Sequence, residues 1–163
     1  MVILYPAIFV AAVVVANLML LWLGPWFSPF NAFFLIGLDL SLRDKIHEMW
    51  EGSQLWIRMF IMISTGSVIS ILFNIDALMI GIASAVAFLL SGVADALVYH
   101  RLLKHPFLIK SNASNSVGAL VDSIAFPLIA FGMIPGLFMI ILLQFAAKVA
   151  GGAVWSFILQ KIR

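Results

Sequence analysis

The sequence predicts an all-α membrane protein, a six-transmembrane-helix bundle with both termini cytoplasmic. Three observations predict it. The 163 residues are 64% hydrophobic and only 10% charged, whereas a soluble domain carries about 25% charged residues. The apolar residues gather in six stretches, each near the roughly 20 residues that a helix needs to cross hydrocarbon. Apart from Lys148 within the sixth span, the basic residues gather around alternate connections and the C-terminal end, as expected where one side of the membrane retains Lys and Arg. A chain so poor in charge cannot cover a globule with polar surface.

The stretches are Val2–Leu23, Pro29–Trp50, Leu55–Phe73, Ala77–Tyr99, Ser114–Ile134 and Gly136–Gln160. The first has no basic n-region and no small-residue cleavage site, so it reads as a retained span and not a signal peptide. The second carries the charged run "LRDKIHEMWEG" in its C-terminal half, which reads as a surface helix leaving the membrane. "GPWFSPFN", "FNIDA" and "GMIPG" are short breaks suited to antiparallel neighbours. Arg43, Lys45 and Arg58 flank the connection between spans two and three. Arg101, Lys104 and Lys110 lie between spans four and five, and Lys161 and Arg163 end the chain. The remaining connections contain no Lys or Arg.

The chain reads as one domain, residues 1–163, without linker, low-complexity tract or clear repeat. It has no cysteine, which excludes disulfides and thiolate metal sites. The net charge of +2 is scattered and forms no nucleic-acid patch. His47, His100 and His105 share no metal-ligand spacing, so no metal site and no cofactor are expected.

Few polar groups remain within the spans, and their spacing is helical. Asp39 and Arg43 are four apart and share a face. Gly81, Ser84, Ser91, Asp95 and Tyr99 make a stripe on span four. Asn115, Gly118 and Asp122 share a face of span five, as do Gln144, Lys148, Gly151 and Trp155 on span six. Such stripes must face the bundle interior, because lipid cannot satisfy them. A carboxylate at bilayer depth costs about 3 kcal/mol or more, so Asp122 needs a cation or a wet cavity. Lys148, near the middle of its span, stands level with either Asp122 or Asp39. Asn17 and Gln144 read as interhelical hydrogen-bonding groups, and Gly118 and Gly151 as points of close helix approach. A buried Asp–Lys pair can be purely structural. Convergence of several acidic and amide groups from at least four spans favours a binding cavity.

No G-x-S-x-G, H-E-x-x-H or Walker A sequence occurs, so the expectation is no enzyme. Polar stripes meeting near the midplane fit a small-solute transporter.

Three stretches carry a family resemblance. "LDLSLRDKI" in span two resembles a D-L-T-x-R segment of the queuosine precursor transporter family, also called the vitamin uptake transporter family. "ASAVAFLLSGVADALVYHRLLK" resembles its helix ending in Asp, an aromatic and a basic loop. "SNASNSVGALVDSIAFPLIAFG" resembles its polar entry followed by Asp-Ser and an aromatic run. The resemblance covers roughly half the chain, in the family's order, though this chain looks shorter than typical members. It implies an inner-membrane importer of the 7-deazapurine precursors preQ0 or preQ1, with distant similarity to the substrate-binding components of energy-coupling-factor vitamin importers. That ligand class suits the residues. A carboxylate, Asp122 or Asp95, with Asp39 also in the cavity, accepts two N–H groups from an amidine edge. Asn115 or Gln144 meets the carbonyl edge, and Tyr99, Phe126 or Trp155 stacks on the ring. Lys148 and Arg43 serve charge pairing or coupling.

The partners expected are thus a small-molecule 7-deazapurine and the lipid bilayer, with a homo-oligomer left open. Two other readings stand beside this one. The chain is a vitamin-binding component docking on an ATPase module through an Ala11, Ala12 and Ala16 surface, or a non-transporting membrane assembly protein.

Overall fold

The structure, a computed structural model, describes residues 4–39, 41–42, 46, 55–102, 104–105 and 107–161. All regular structure among the described residues is helical. Helix α1 (Leu4–Leu23) is apolar throughout except for Asn17. It stops at Gly24, whose φ of 78° ends the ladder as its N–H donates to the Leu20 carbonyl at 3.0 Å. Such a left-handed position favours glycine. A 3-10 turn (Pro25–Phe27) then feeds α2 (Ser28–Asn31), with Pro29 in the first turn, where a missing N–H costs nothing. A π-helical segment (Ala32–Ile36) continues α2, and residues 37–39, 41–42 and 46 are helical beyond it. The rest of the charged run, with Arg43 and Lys45, lies outside the described residues.

Helix α3 (Leu55–Phe73) has the bounds the apolar pattern predicts. The "FNIDA" break is a 3-10 turn (Ile75–Ala77) whose Asn74 side chain accepts from the Asp76 N–H at 3.0 Å. Helix α4 (Leu78–Arg101) follows. Helix α5 (Phe107–Phe131) begins seven residues before the stretch expected from hydropathy, because the polar run Lys110, Ser111 and Asn112 lies inside the helix. Gly132 ends α5 at φ 67°. Helix α6 (Leu137–Lys161) closes the fold.

Leu4–Leu23, Ile75–Asp95, Ala113–Phe131 and Leu137–Trp155 are four helices long and apolar enough to cross a membrane, and Phe60–Phe73 is a shorter apolar stretch. Surface and interior are inverted relative to a soluble protein. Leu72 is 80% exposed, and Trp22, Phe73 and Phe138 also face outward. Asn17, Asn31, Gln144 and Lys148 are buried. Lipid accepts the first group, and only protein satisfies the second.

Helices α4 and α5 form the most extensive pair; α3 packs on α1 and α4, and α6 on the π segment and α5. One apolar cluster joins Phe9 and Val13 of α1 to Leu42, Ile46, Met62 and Ile63. A second, further along α1, joins Leu20 to Ile80, Ala83, Ala87 and Phe126. Backbones approach closely where side chains vanish. A Cβ on Gly37 would lie 2.7 Å from the Gly151 carbonyl carbon, and one on Gly151 would strike the Phe33 carbonyl oxygen. Close packing at Gly151 is therefore as the stripe predicts. Ser41 clamps the crossing by donating to the Gly152 carbonyl at 3.1 Å.

Candidate functional site: a polar cavity in the bundle

Helices α1 to α6 and the π segment all contribute to one cavity. Helix α1 lends Asn17, the α2–π segment Ser28, Asn31 and Asp39, and α3 Ile63. Helix α4 lends Ser84, Phe88, Ser91 and Asp95. Helix α5 adds Asn115, Gly118, Asp122 and Phe126, and α6 adds Gln144 and Lys148. Water centres can occupy about 120 Å³ of it. That is roughly ten times what a single water needs, so the cavity has room for more than solvent.

Lys148 organises one wall. It is 3% exposed and donates to Asp122 Oδ2 at 2.5 Å, Ser123 Oγ at 3.2 Å and Gln144 Oε1 at 3.1 Å. An ammonium has three donors, and all three are used. The partner left open between Asp39 and Asp122 is therefore Asp122. Gln144 Nε2 donates in turn to Ser28 Oγ, so the cation ties α5, α6 and the start of α2 together. Asp122 keeps partial exposure to the cavity.

Asn17 anchors a second wall. Its Nδ2 donates to Ser70 Oγ at 3.2 Å, and its Oδ1 accepts from Ser84 Oγ at 2.9 Å. One amide thus joins α1, α3 and α4, as expected of an interhelical group. Gly118 sets the α4–α5 approach, since a Cβ there would meet Asp95 Cβ and the Ser91 carbonyl oxygen, each at 3.3 Å. Phe126 forms a wall that Phe131 braces edge-to-face, with ring centroids 5.9 Å apart.

Over residues 2–159 the sequence matches the family described as Putative vitamin uptake transporter. The chain belongs to that family. No curated protein and no solved structure matches it. The resemblance seen in three short stretches thus extends along nearly the whole chain, including the apolar segments between them. A vitamin uptake transporter is a membrane protein that handles a small molecule, and a central polar cavity is the feature such a role needs.

Of the residues expected at the site, Asp39, Asp95, Asn115, Asp122, Phe126, Gln144 and Lys148 all line this cavity. Trp155 does not; it is half-buried farther along α6. Arg43 and the Tyr99 side chain lie outside the described residues. Of the alanines expected to form a docking face, Ala11 is exposed, whereas Ala12 and Ala16 are buried and Ala16 lines the cavity.

Ser28 and Asn31 escape the sequence reading. They stand at the edge of a break rather than on a stripe, although Pro29 marks a helix start there. Asn31 and Asp39 are eight apart, about 80° out of phase at 3.6 residues per turn. The intervening π turns advance less per residue and bring both onto the cavity. Phe88, an aromatic of the wall, looks in sequence like ordinary apolar filling.

Proposed function

We propose that this vitamin uptake transporter imports a queuosine precursor, a 7-deazapurine base, through the cavity. The observation that carries the proposal is the convergence on one cavity of a carboxylate, an amide and an aromatic ring without a competing structural duty for the carboxylate. Asp95 is that carboxylate. Its Oδ1 is buried and has no hydrogen-bond partner among the described residues. A guanine-like amidine edge offers two parallel N–H donors, and one carboxylate accepts both. Asp122 is the poorer candidate, because Lys148 holds one of its oxygens. Asn115 suits the carbonyl edge, and Phe126 the ring face. Gln144 supports this wall through Ser28 and Lys148 rather than reading the base.

The family description supports uptake of a small molecule. The three sequence stretches that resemble queuosine precursor transporters carry Asp39, Asp95 and Asp122 to the same cavity, which supports the substrate class. The alternating basic connections support six crossings of an inner membrane with both termini in the cytoplasm. No catalytic role is proposed for any residue.

The test uses cells that neither synthesise queuosine nor possess their own importer. Expression of this chain with low external preQ0 or preQ1 restores queuosine in tRNA, and Asp95→Asn lowers it at equal membrane abundance. Absence of restoration, with the protein present in the membrane, refutes the proposal.

A further inference from the structure

One buried carboxylate remains unused by that reading. Asp39 is 7% exposed, lies on the cavity wall, and its Oδ1 has no hydrogen-bond partner among the described residues. Asn31, on the same segment and also on the wall, has an orphan Oδ1 as well. Its Nδ2 donates to the Ala16 carbonyl at 3.0 Å. A carbonyl only accepts, so the amide orientation is fixed and the free end is an acceptor.

Several donors of the wall are already engaged. Lys148 uses its three N–H groups on Asp122, Ser123 and Gln144. The amide nitrogens of Asn17 and Gln144 donate to Ser70 and Ser28. The buried orphan atoms on the described wall are Asn31 Oδ1, Asp39 Oδ1 and Asp95 Oδ1, all of them acceptors. Charge leans the same way, since the described wall holds three carboxyl groups, Asp39, Asp95 and Asp122, and one cation, Lys148. Orphaned buried acceptors are costly, and a ligand that offers only donors at that end relieves the cost. A ligand presenting another acceptor there meets repulsion instead.

We infer that Asp39 forms an ammonium subsite on the cavity wall, so the cavity selects a base bearing a protonated aminomethyl group over one bearing a nitrile. The inference rests on the proposed 7-deazapurine reading and goes beyond it by dividing the two precursors. PreQ1 carries the amine and preQ0 the nitrile, whose nitrogen is an acceptor. Asp95 reads the amidine edge of either base, and Asp39 reads the substituent that differs between them.

The experiment measures affinities of purified protein in lipid nanodiscs for preQ1, preQ0 and the 7-methyl analogue, which lacks both amine and nitrile. The expected result is that preQ1 binds at least about tenfold tighter than either of the others, since a hydrogen bond to a charged group is worth about one order of magnitude or more. Asp39→Asn is expected to shrink that ratio to below about threefold. Equal affinities for the three bases overturn the subsite and leave the deazapurine reading standing. Binding of none of them overturns the deazapurine reading and the subsite together. A preference for preQ1 that Asp39→Asn leaves intact overturns the role of Asp39. If Asp39→Asn does not accumulate, the wild-type comparison decides: preQ1 binding no tighter than the methyl analogue overturns the inference.

Discussion

Replacing Lys148 by Met removes the cation of the α5–α6 wall while keeping most of its volume. Asp122 then loses its counter-charge, and Ser123 and Gln144 each lose the donor they accept from. Breaking a buried ion pair costs about 3–5 kcal/mol because one charge stays behind uncompensated. Asp122 keeps 24% side-chain exposure, and water in the cavity softens the loss, so Lys148→Met should sit near the low end, at about 3 kcal/mol. Asp122→Asn strands the more deeply buried partner and should cost about 4 kcal/mol. The double variant removes both charges, so it should cost far less than the sum of the two. The coupling should be at least about 2 kcal/mol, above the scatter of about 0.5 kcal/mol for independent sites. It also exceeds the average of about 0.6 kcal/mol for hydrogen bonds within membrane proteins. The assay is reversible unfolding in mixed micelles, in which denaturing detergent is titrated against a mild one. The same cycle with Asp39→Asn in place of Asp122→Asn should give coupling near zero. Additive costs for Lys148 and Asp122, or a large coupling between Lys148 and Asp39, would refute the reasoning.

Three more outcomes test other parts of the structure. Ala119→Leu projects new volume from the cavity wall and removes no hydrogen-bonding side chain. It should lower precursor uptake at least about tenfold while costing no more than about 3 kcal/mol of stability, the upper end for an enlarged side chain, measured as tRNA queuosine beside an unfolding titration. Gly151→Ala drives a Cβ into the Phe33 carbonyl and should destabilise by about 1–3 kcal/mol, the usual cost of overpacking, whereas Gly152→Ala should cost less in the same unfolding titration. Asn17→Ala breaks the bonds to Ser70 and Ser84 and should cost about 1–2 kcal/mol; thermal unfolding of the purified protein checks it.

Much of this fold is legible because a membrane makes sequence patterns blunt. Hydrocarbon demands long apolar helices and allows polar groups only inward, so the bounds of α3 and the cavity-facing stripe of α5 follow from residue spacing. Asn115, Gly118 and Asp122 read as one face of a regular helix, and all three line the cavity. The failures arise where geometry departs from the ideal helix or where two partners compete. Asn31 and Asp39 come into phase only through the π turns, which no period of 3.6 reveals. The choice of Asp122 for Lys148 depends on the relative heights of separate helices, and spacing within one helix carries no such information. Trp155 shares a helical face with Lys148, yet it lies two turns along α6 and outside the cavity, because a face extends past the hollow it lines. The start of α5 escapes the hydropathy reading because Lys110, Ser111 and Asn112 interrupt its apolar run, and hydropathy registers depth rather than helicity.

The central claim is that the cavity itself carries a 7-deazapurine base across the membrane. Counterflow in proteoliposomes tests it most directly, because exchange needs no knowledge of the energy source. Vesicles holding the purified protein are loaded with unlabelled preQ1 and diluted into labelled preQ1. The account predicts transient accumulation of label that unlabelled preQ1 outside suppresses and that Asp95→Asn and Ala119→Leu each abolish. Label that stays at the level of protein-free vesicles, or accumulation that survives Ala119→Leu unchanged, would contradict it.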